Sequence, residues 1–219
     1  MRIEAALKQL AAGEFVCNVR FPDEFDMLSS PEGRQKASEW LSTIGYRLAQ
    51  LGEDGAFFMA YDYLDVDAKN KVRDELRNLR DRLQPSVAFL ETLRQAQLRG
   101  AQLQAGDEIV HSEVMESVRL SALVERRLAE MKDVHGSRAN ESASDRLSRI
   151  LELLAQDGYL TLTNANFKTY RVTGKIAYLY QLLAFMAEHL PEMADASVND
   201  QMEERQTTIE EAAEQPPTP

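Results

Sequence analysis

A hairpin directly after an amphipathic helix constrains this chain most. Residues 157–173 read DGYLTLTNANFKTYRVT, two short alternating runs on either side of Asn-Ala-Asn. Leu160 and Leu162 alternate with Tyr159, Thr161 and Thr163, and Tyr170 and Val172 with Thr169, Arg171 and Thr173. One face of the hairpin is therefore apolar and can lie on a helix. The helix precedes it: Leu147, Ile150, Leu151 and Leu154 recur at helical spacing, with Ser142 or Ser144 as N-cap and Arg146, Arg149 and Glu152 between them. Gln156-Asp157-Gly158 closes that helix, since glycine takes the left-handed conformation of a helix stop.

A similar pattern occurs earlier. Ser30-Pro31 is a cap with proline at the first helical position, and Ala37, Trp40, Leu41, Ile44, Leu48 and Leu51 mark a helical stripe. Leu51-Gly-Glu-Asp54-Gly55 then precedes AFFMAYDY, as Leu154-Ala-Gln-Asp157-Gly158 precedes the hairpin. The spacing of the two Asp-Gly pairs is that of a domain-sized repeat. Between them, Val72, Leu76, Leu79 and Leu83 suggest a linking helix, Pro85 a break, and Val87, Leu90 and Leu93 a further helix over 85–99. Ser112 can cap a helix to about Met131, and DVHGSRANESA at 133–143 reads as a loop. Three helices and then a hairpin is the winged-helix order, with the hairpin as the wing. The expected fold is mainly α with short β-hairpins. Its parts are winged-helix domains at 1–65 and 85–190, a helical linker at 66–84, and a disordered acidic tail at 191–219.

Charge decides what such a wing can touch. The net charge of −11 is uneven, because Glu192–Pro219 holds eight acidic residues and only Arg205 on the basic side. That tail also lacks the apolar residues to offset the entropy of ordering it. An acidic total is thus compatible with a local basic patch. Arg138, Arg146, Arg149, Lys168, Arg171 and Lys175 form one across the loop, helix and wing, opposed by Glu141, Asp145, Glu152 and Asp157. Six phosphate contacts at most imply weak, salt-sensitive, largely non-specific DNA binding. The first half offers Arg34, Lys36 and Arg47 against Glu32 and Glu39, which points to protein contact there.

Other chemistries find little support. The single Cys17 excludes an internal disulfide and a cysteine-based zinc site, and His111, His135 and His189 lack paired metal-ligand spacing. Asp107-Glu108-His111 reads as a solvated helix start. There is no glycine-rich phosphate loop after a strand, no GxSxG elbow and no apolar run of membrane-span length. The expectation is a non-enzymatic chain without cofactor or metal, in the cytoplasm. Trp40, Phe57 and Phe58 read as packing residues. The last helix, from Lys175, is apolar nearly all round and calls for cover on a second side, by another subunit or by the first half of the same chain. Tyr178, Leu182 and Phe185 are its candidate partner or dimer surface.

The element order, the stretch NFKTYRVTGKIAYLYQLLAF, the short N-terminal segment and the acidic tail together resemble MukE and its relative MksE. These are the kite subunits, small tandem winged-helix proteins of bacterial condensins. The resemblance covers roughly residues 15–190. It implies a homodimer that binds a kleisin subunit of the MksF/MukF type, bridges it to an SMC-type ATPase of the MksB/MukB type, and helps hold DNA within the complex on the nucleoid. It carries DNA contacts to Arg146, Arg149, Lys168, Arg171 and Lys175, and more loosely to Arg138. Chromosome organisation and segregation, or plasmid defence, is the implied role. A free-standing winged-helix transcription regulator is the alternative.

Overall fold

Two stretches of helix-then-hairpin organise the computed structural model, which describes residues 3–78, 88–92, 94, 102–131, 141–185 and 188. The chain divides into two units, Met1–Tyr180 and Gln181–Pro219. The first unit is mainly helical with short antiparallel strand pairs. In the second, residues 181–185 are helical. The expected acidic tail, Arg138, and most of the 133–143 loop lie outside the described residues.

The first stretch contains α1 (Ile3–Ala11), α2 (Pro22–Ser29), α3 (Pro31–Ser42), β1 (Tyr46–Gln50) and β2 (Phe57–Tyr61). Ser30 caps α3 through its hydroxyl, which accepts from the Gly33 amide at 3.0 Å, and Pro31 fills the first turn. β1 and β2 pair antiparallel from Tyr46 opposite Tyr61 to Gln50 opposite Phe57. Val16 adds a one-residue bridge on the other side of β2, exchanging both backbone hydrogen bonds with Phe57 at 2.8 and 2.9 Å. Ala6, Leu10, Val16, Leu28, Ala37, Leu41 and Phe57 form the core beneath.

This corrects the sequence expectation at three points. Helix α3 stops at Ser42, and Gly45, at φ +78°, turns the chain into β1, so Leu48 and Leu51 lie on or beside a strand. The spacing Ile44-Leu48 suits a helix, but Tyr46, Leu48 and Gln50 suit a strand equally, and tertiary pairing with Met59 and Tyr61 decides. Asp54-Gly55 therefore sits in a hairpin connection, whereas Asp157-Gly158 does end a helix. The matching helix stop of the first stretch is Gly45, paralleling Gly158 at φ +81°. Trp40 and Ile44, expected in the core, are 37% and 47% exposed.

After α4 (Val66–Asn78) and a helical segment at 88–92, the second stretch runs β3 (Glu108–Val110), α5 (His111–Leu120), α6 (Ala122–Glu130), α7 (Ala143–Gln156), β4 (Leu160–Asn164) and β5 (Thr169–Val172). The sheet order is β3-β5-β4, all antiparallel. β3 was not foreseen, and it removes Asp107-Glu108 from the helix start, where Val110 rather than Ser112 is the cap position. The single helix expected over 112–131 is broken at Ser121, whose extended backbone and hydroxyl cap α6. The apolar phase explains the break: Val114 and Val118 are four apart, Val124 and Leu128 likewise, but 118 to 124 is six and would leave one helical face. All four are buried, while Leu120 and Leu123 at the joint are exposed.

Leu147, Ile150, Leu151 and Leu154 of α7 are buried and α7 packs on β4. Tyr159, expected on the polar side of the hairpin, is 3% exposed. Residues 175–180 are helical and pack back on the first stretch. Tyr178 sits with its ring centroid 4.9 Å from Phe15 and 5.5 Å from Phe58, next to a cluster of Phe15, Cys17, Leu51 and Ala56. The Gly174 amide donates to Cys17 Sγ at 3.3 Å, and only glycine fits, since a Cβ would lie 2.8 Å from that of Cys17.

Candidate nucleic-acid interface

Helix α7 and the β4–β5 hairpin carry the expected basic residues. Ser142 positions the helix: its hydroxyl accepts from the Asp145 amide at 3.1 Å and donates to the Asp145 carboxylate at 2.7 Å. Arg146 and Arg149 leave the first two turns on one side, three residues apart. Both turn to the same acid. Glu141 accepts from Arg149 through both carboxylate oxygens, at 2.9 and 2.6 Å, and lies 3.8 Å from Arg146 Nε. The Glu141 side chain is only 8% exposed, and the two arginines 16% and 23%. Hydrogen bonding to Glu141 holds Arg149 above the ordinary arginine value.

The hairpin behaves similarly. Arg171, on β5, donates to Glu108 on the neighbouring β3 at 2.6 Å. Lys175 is drawn inward: its ammonium lies 4.8 Å from the Tyr159 ring centroid and 5.1 Å from that of Phe15, and donates to the Asp157 carbonyl at 2.8 Å. Burial pulls it below the ordinary lysine value, opposed by Glu75, Asp157 and Glu14. Four of the five described cations are thus held by groups of the chain itself.

Lys168 differs. It has no ion pair among the described residues, and its Nζ donates to Ser148 Oγ at 2.9 Å. It ends the β4–β5 turn at φ +46°, the one non-glycine residue described with a positive φ. A side chain in that left-handed conformation costs about 1–2 kcal/mol, which Gly or Asn would largely avoid. Beside it, Phe167 is 71% exposed at the tip of the hairpin.

Ser148 has a second neighbour that the sequence did not reveal. His111 Nε2 lies 3.1 Å from Ser148 Oγ and 3.2 Å from the Ser144 carbonyl. A carbonyl only accepts, so Nε2 carries the proton there and donates. Ser148 therefore has no base to activate it, and the trio is a cluster of donors rather than a nucleophile with its base. No local signal could have found it, because His111 and Ser148 are far apart in sequence and meet only once β3 pairs with β5.

Of the proposed partner surface, Tyr178 has its ring taken up by Phe15 and Phe58, and burial pushes its hydroxyl up to about 12, with Glu75 adding to the effect. In the second unit Leu182 is half-buried and Phe185 is 46% exposed. Two of the three first-stretch cations are also engaged: Lys36 pairs with Glu32 at 2.6 Å, and Arg34 donates to the Leu28 carbonyl at 3.2 Å.

Among the described residues no group of three or more His, Cys, Asp or Glu side chains is placed to hold a metal. None of their helices is long and apolar enough to cross a membrane. Compared with known proteins, the chain matches no protein-family model and no curated protein.

Proposed function

We propose that this chain is a non-enzymatic kite-type subunit, a tandem winged-helix protein resembling MukE and MksE. In this reading it forms a homodimer, binds a kleisin, bridges it to an SMC-type ATPase and helps hold DNA within that assembly on the nucleoid. One observation supports the reading: a helix followed by a hairpin occurs twice. In each stretch a serine-capped helix stops at a left-handed glycine, Gly45 or Gly158, and passes into a hairpin. In each, the hairpin's second strand takes an earlier extended segment on its free side, Val16 beside β2 and β3 beside β5. Such a strand added beside the hairpin supports the winged-helix reading.

The charge pattern favours the assembly over the stand-alone regulator. A regulator needs free cations on its recognition helix to hold an operator by itself, whereas Arg146 and Arg149 already face Glu141. Exposed apolar groups are better suited to a protein partner: Trp40 and Ile44 near the end of α3. The test is affinity purification of the tagged full chain from its own cells, with its mass in solution measured by light scattering. The expected result is a dimer that brings down a kleisin and an SMC ATPase, and loses the kleisin when Trp40 and Ile44 are changed to Ser with helix content retained. A monomer that brings down neither protein would overturn the kite reading in favour of the regulator.

A further inference from the structure

We infer that Lys168, His111 and Ser148 form a phosphate-binding corner where the wing meets α7, occupied in the assembly by a backbone phosphate of DNA. Naming DNA as the source of that phosphate rests on the function proposed above; the corner itself rests on geometry. Two nitrogens from distant parts of the chain lie beside one hydroxyl, Lys168 Nζ at 2.9 Å and His111 Nε2 at 3.1 Å from Ser148 Oγ; with the Nε2 proton turned to the Ser144 carbonyl, Lys168 is the donor to that hydroxyl. An ammonium has three N–H groups, and the one hydrogen bond found for Lys168 leaves two for a ligand.

Two acids of this region are taken up by arginines, while Asp145 and Glu152 on α7 have no ion pair among the described residues. Glu141 faces Arg146 and Arg149, Glu108 faces Arg171, and Asp145 takes the Ser142 hydroxyl. The Ser144 carbonyl is the acceptor His111 already has. A phosphate oxygen arriving at Lys168 therefore meets the ammonium and the Ser148 hydroxyl, while Glu141 and Glu108 are held by arginines.

The backbone supplies an independent argument. The wing turn places a lysine at φ +46°, where glycine would be less strained. The cation is present against the local conformational preference, as expected when the side chain has a task. This also gives a variant that separates task from stability. Lys168→Gly removes the cation while supplying the residue the backbone prefers, so the fold is kept or strengthened.

The experiment is amide NMR on the full chain, titrated in one arm with inorganic phosphate and in the other with a short DNA duplex. Duplex affinity of the wild type, Lys168→Gly and Ser148→Ala is measured by anisotropy over a salt series. The expected result is that the duplex shifts the amides of His111, Ser148 and Lys168. Lys168→Gly should weaken duplex binding on the order of tenfold and flatten the log–log salt slope by about 0.9, with no loss of melting temperature. Shifts at these residues with inorganic phosphate alone uphold the corner and move its occupant from DNA to a free phosphate. No shift at them in either arm overturns the inference, even if a kleisin co-purifies. Shifts without any kleisin partner would uphold the corner while the kite reading fails.

Discussion

Replacing Glu141 with Gln should destabilise the chain and, at the same time, strengthen its grip on DNA. The carboxylate is 8% exposed and receives two hydrogen bonds from Arg149, at 2.9 and 2.6 Å, with Arg146 at 3.8 Å. Breaking a buried ion pair costs about 3–5 kcal/mol, and an exposed one about 0–1 kcal/mol. The arginines, 16% and 23% exposed, retain some water, and Gln keeps one acceptor in place. A loss of about 2–3 kcal/mol follows. For a chain of this size that is a fall in Tm of roughly 4–12 °C, read by circular dichroism. Added salt should recover little of it, since partly buried charges are weakly screened. Losing the Glu141 charge leaves the patch more positive, so duplex affinity should rise and its salt slope steepen by about 0.9 per new phosphate contact. A Tm change under about 2 °C would mean the pair is ordinary solvated surface. Weaker duplex binding would mean that Glu141 positions the arginines rather than occupying them.

Two further outcomes follow from the joint between the two stretches. Gly174→Ala places a Cβ 2.8 Å from that of Cys17 and 3.1 Å from that of Ala56; overpacking of about 1–3 kcal/mol should lower Tm, and an unchanged Tm would show that the joint yields. Burial raises the hydroxyls of Tyr159 and Tyr178, the latter to about 12, so the unfolded chain ionises first as pH climbs above 10. The stability they contribute is complete below pH 10 and is lost as pH rises toward about 12. Urea midpoints should therefore fall in that window, less steeply for Tyr178→Phe, and an identical decline in that variant would remove Tyr178 from the account.

The second stretch was largely legible because its signals are local. Ser142, the Leu147–Leu154 spacing and Gly158 each specify one event, the start, buried face or end of a helix, and the structure has α7 from Ala143 to Gln156. The first stretch misled because its apolar residues serve two periods. Leu48 and Leu51 continue the helical phase of Leu41, and nothing nearby outweighs that except Gly45, whose left-handed backbone is invisible until β1 meets β2. The basic residues were found by type, but their state was not legible. Arg149 lies eight residues from Glu141, Arg171 far from Glu108, and both pairs exist only through tertiary contact. The same holds for His111 beside Ser148. Sequence reports which charges a surface could offer, and the fold decides which are still on offer.

That decision bears on how a protein of this build would hold DNA at all. With Arg146, Arg149 and Arg171 paired and Lys175 under aromatic rings, Lys168 is the one described cation of the patch without such a hold. A single phosphate contact gives a salt slope of only about 0.9, and hence weak binding that does not read sequence. In the proposed homodimer the same contact occurs twice, and a kleisin fixes both copies on one assembly. The second contact is then intramolecular, and its effective concentration, up to the millimolar range for short tethers, raises affinity without any new interaction. A feeble site is an advantage for a clamp, because DNA is retained only while the assembly is closed and released once the copies separate. An operator-binding regulator gains nothing from such weakness, since it must find and hold one sequence against a genome of competitors. The paired arginines thus argue for the clamp more strongly than their mere number argued for DNA.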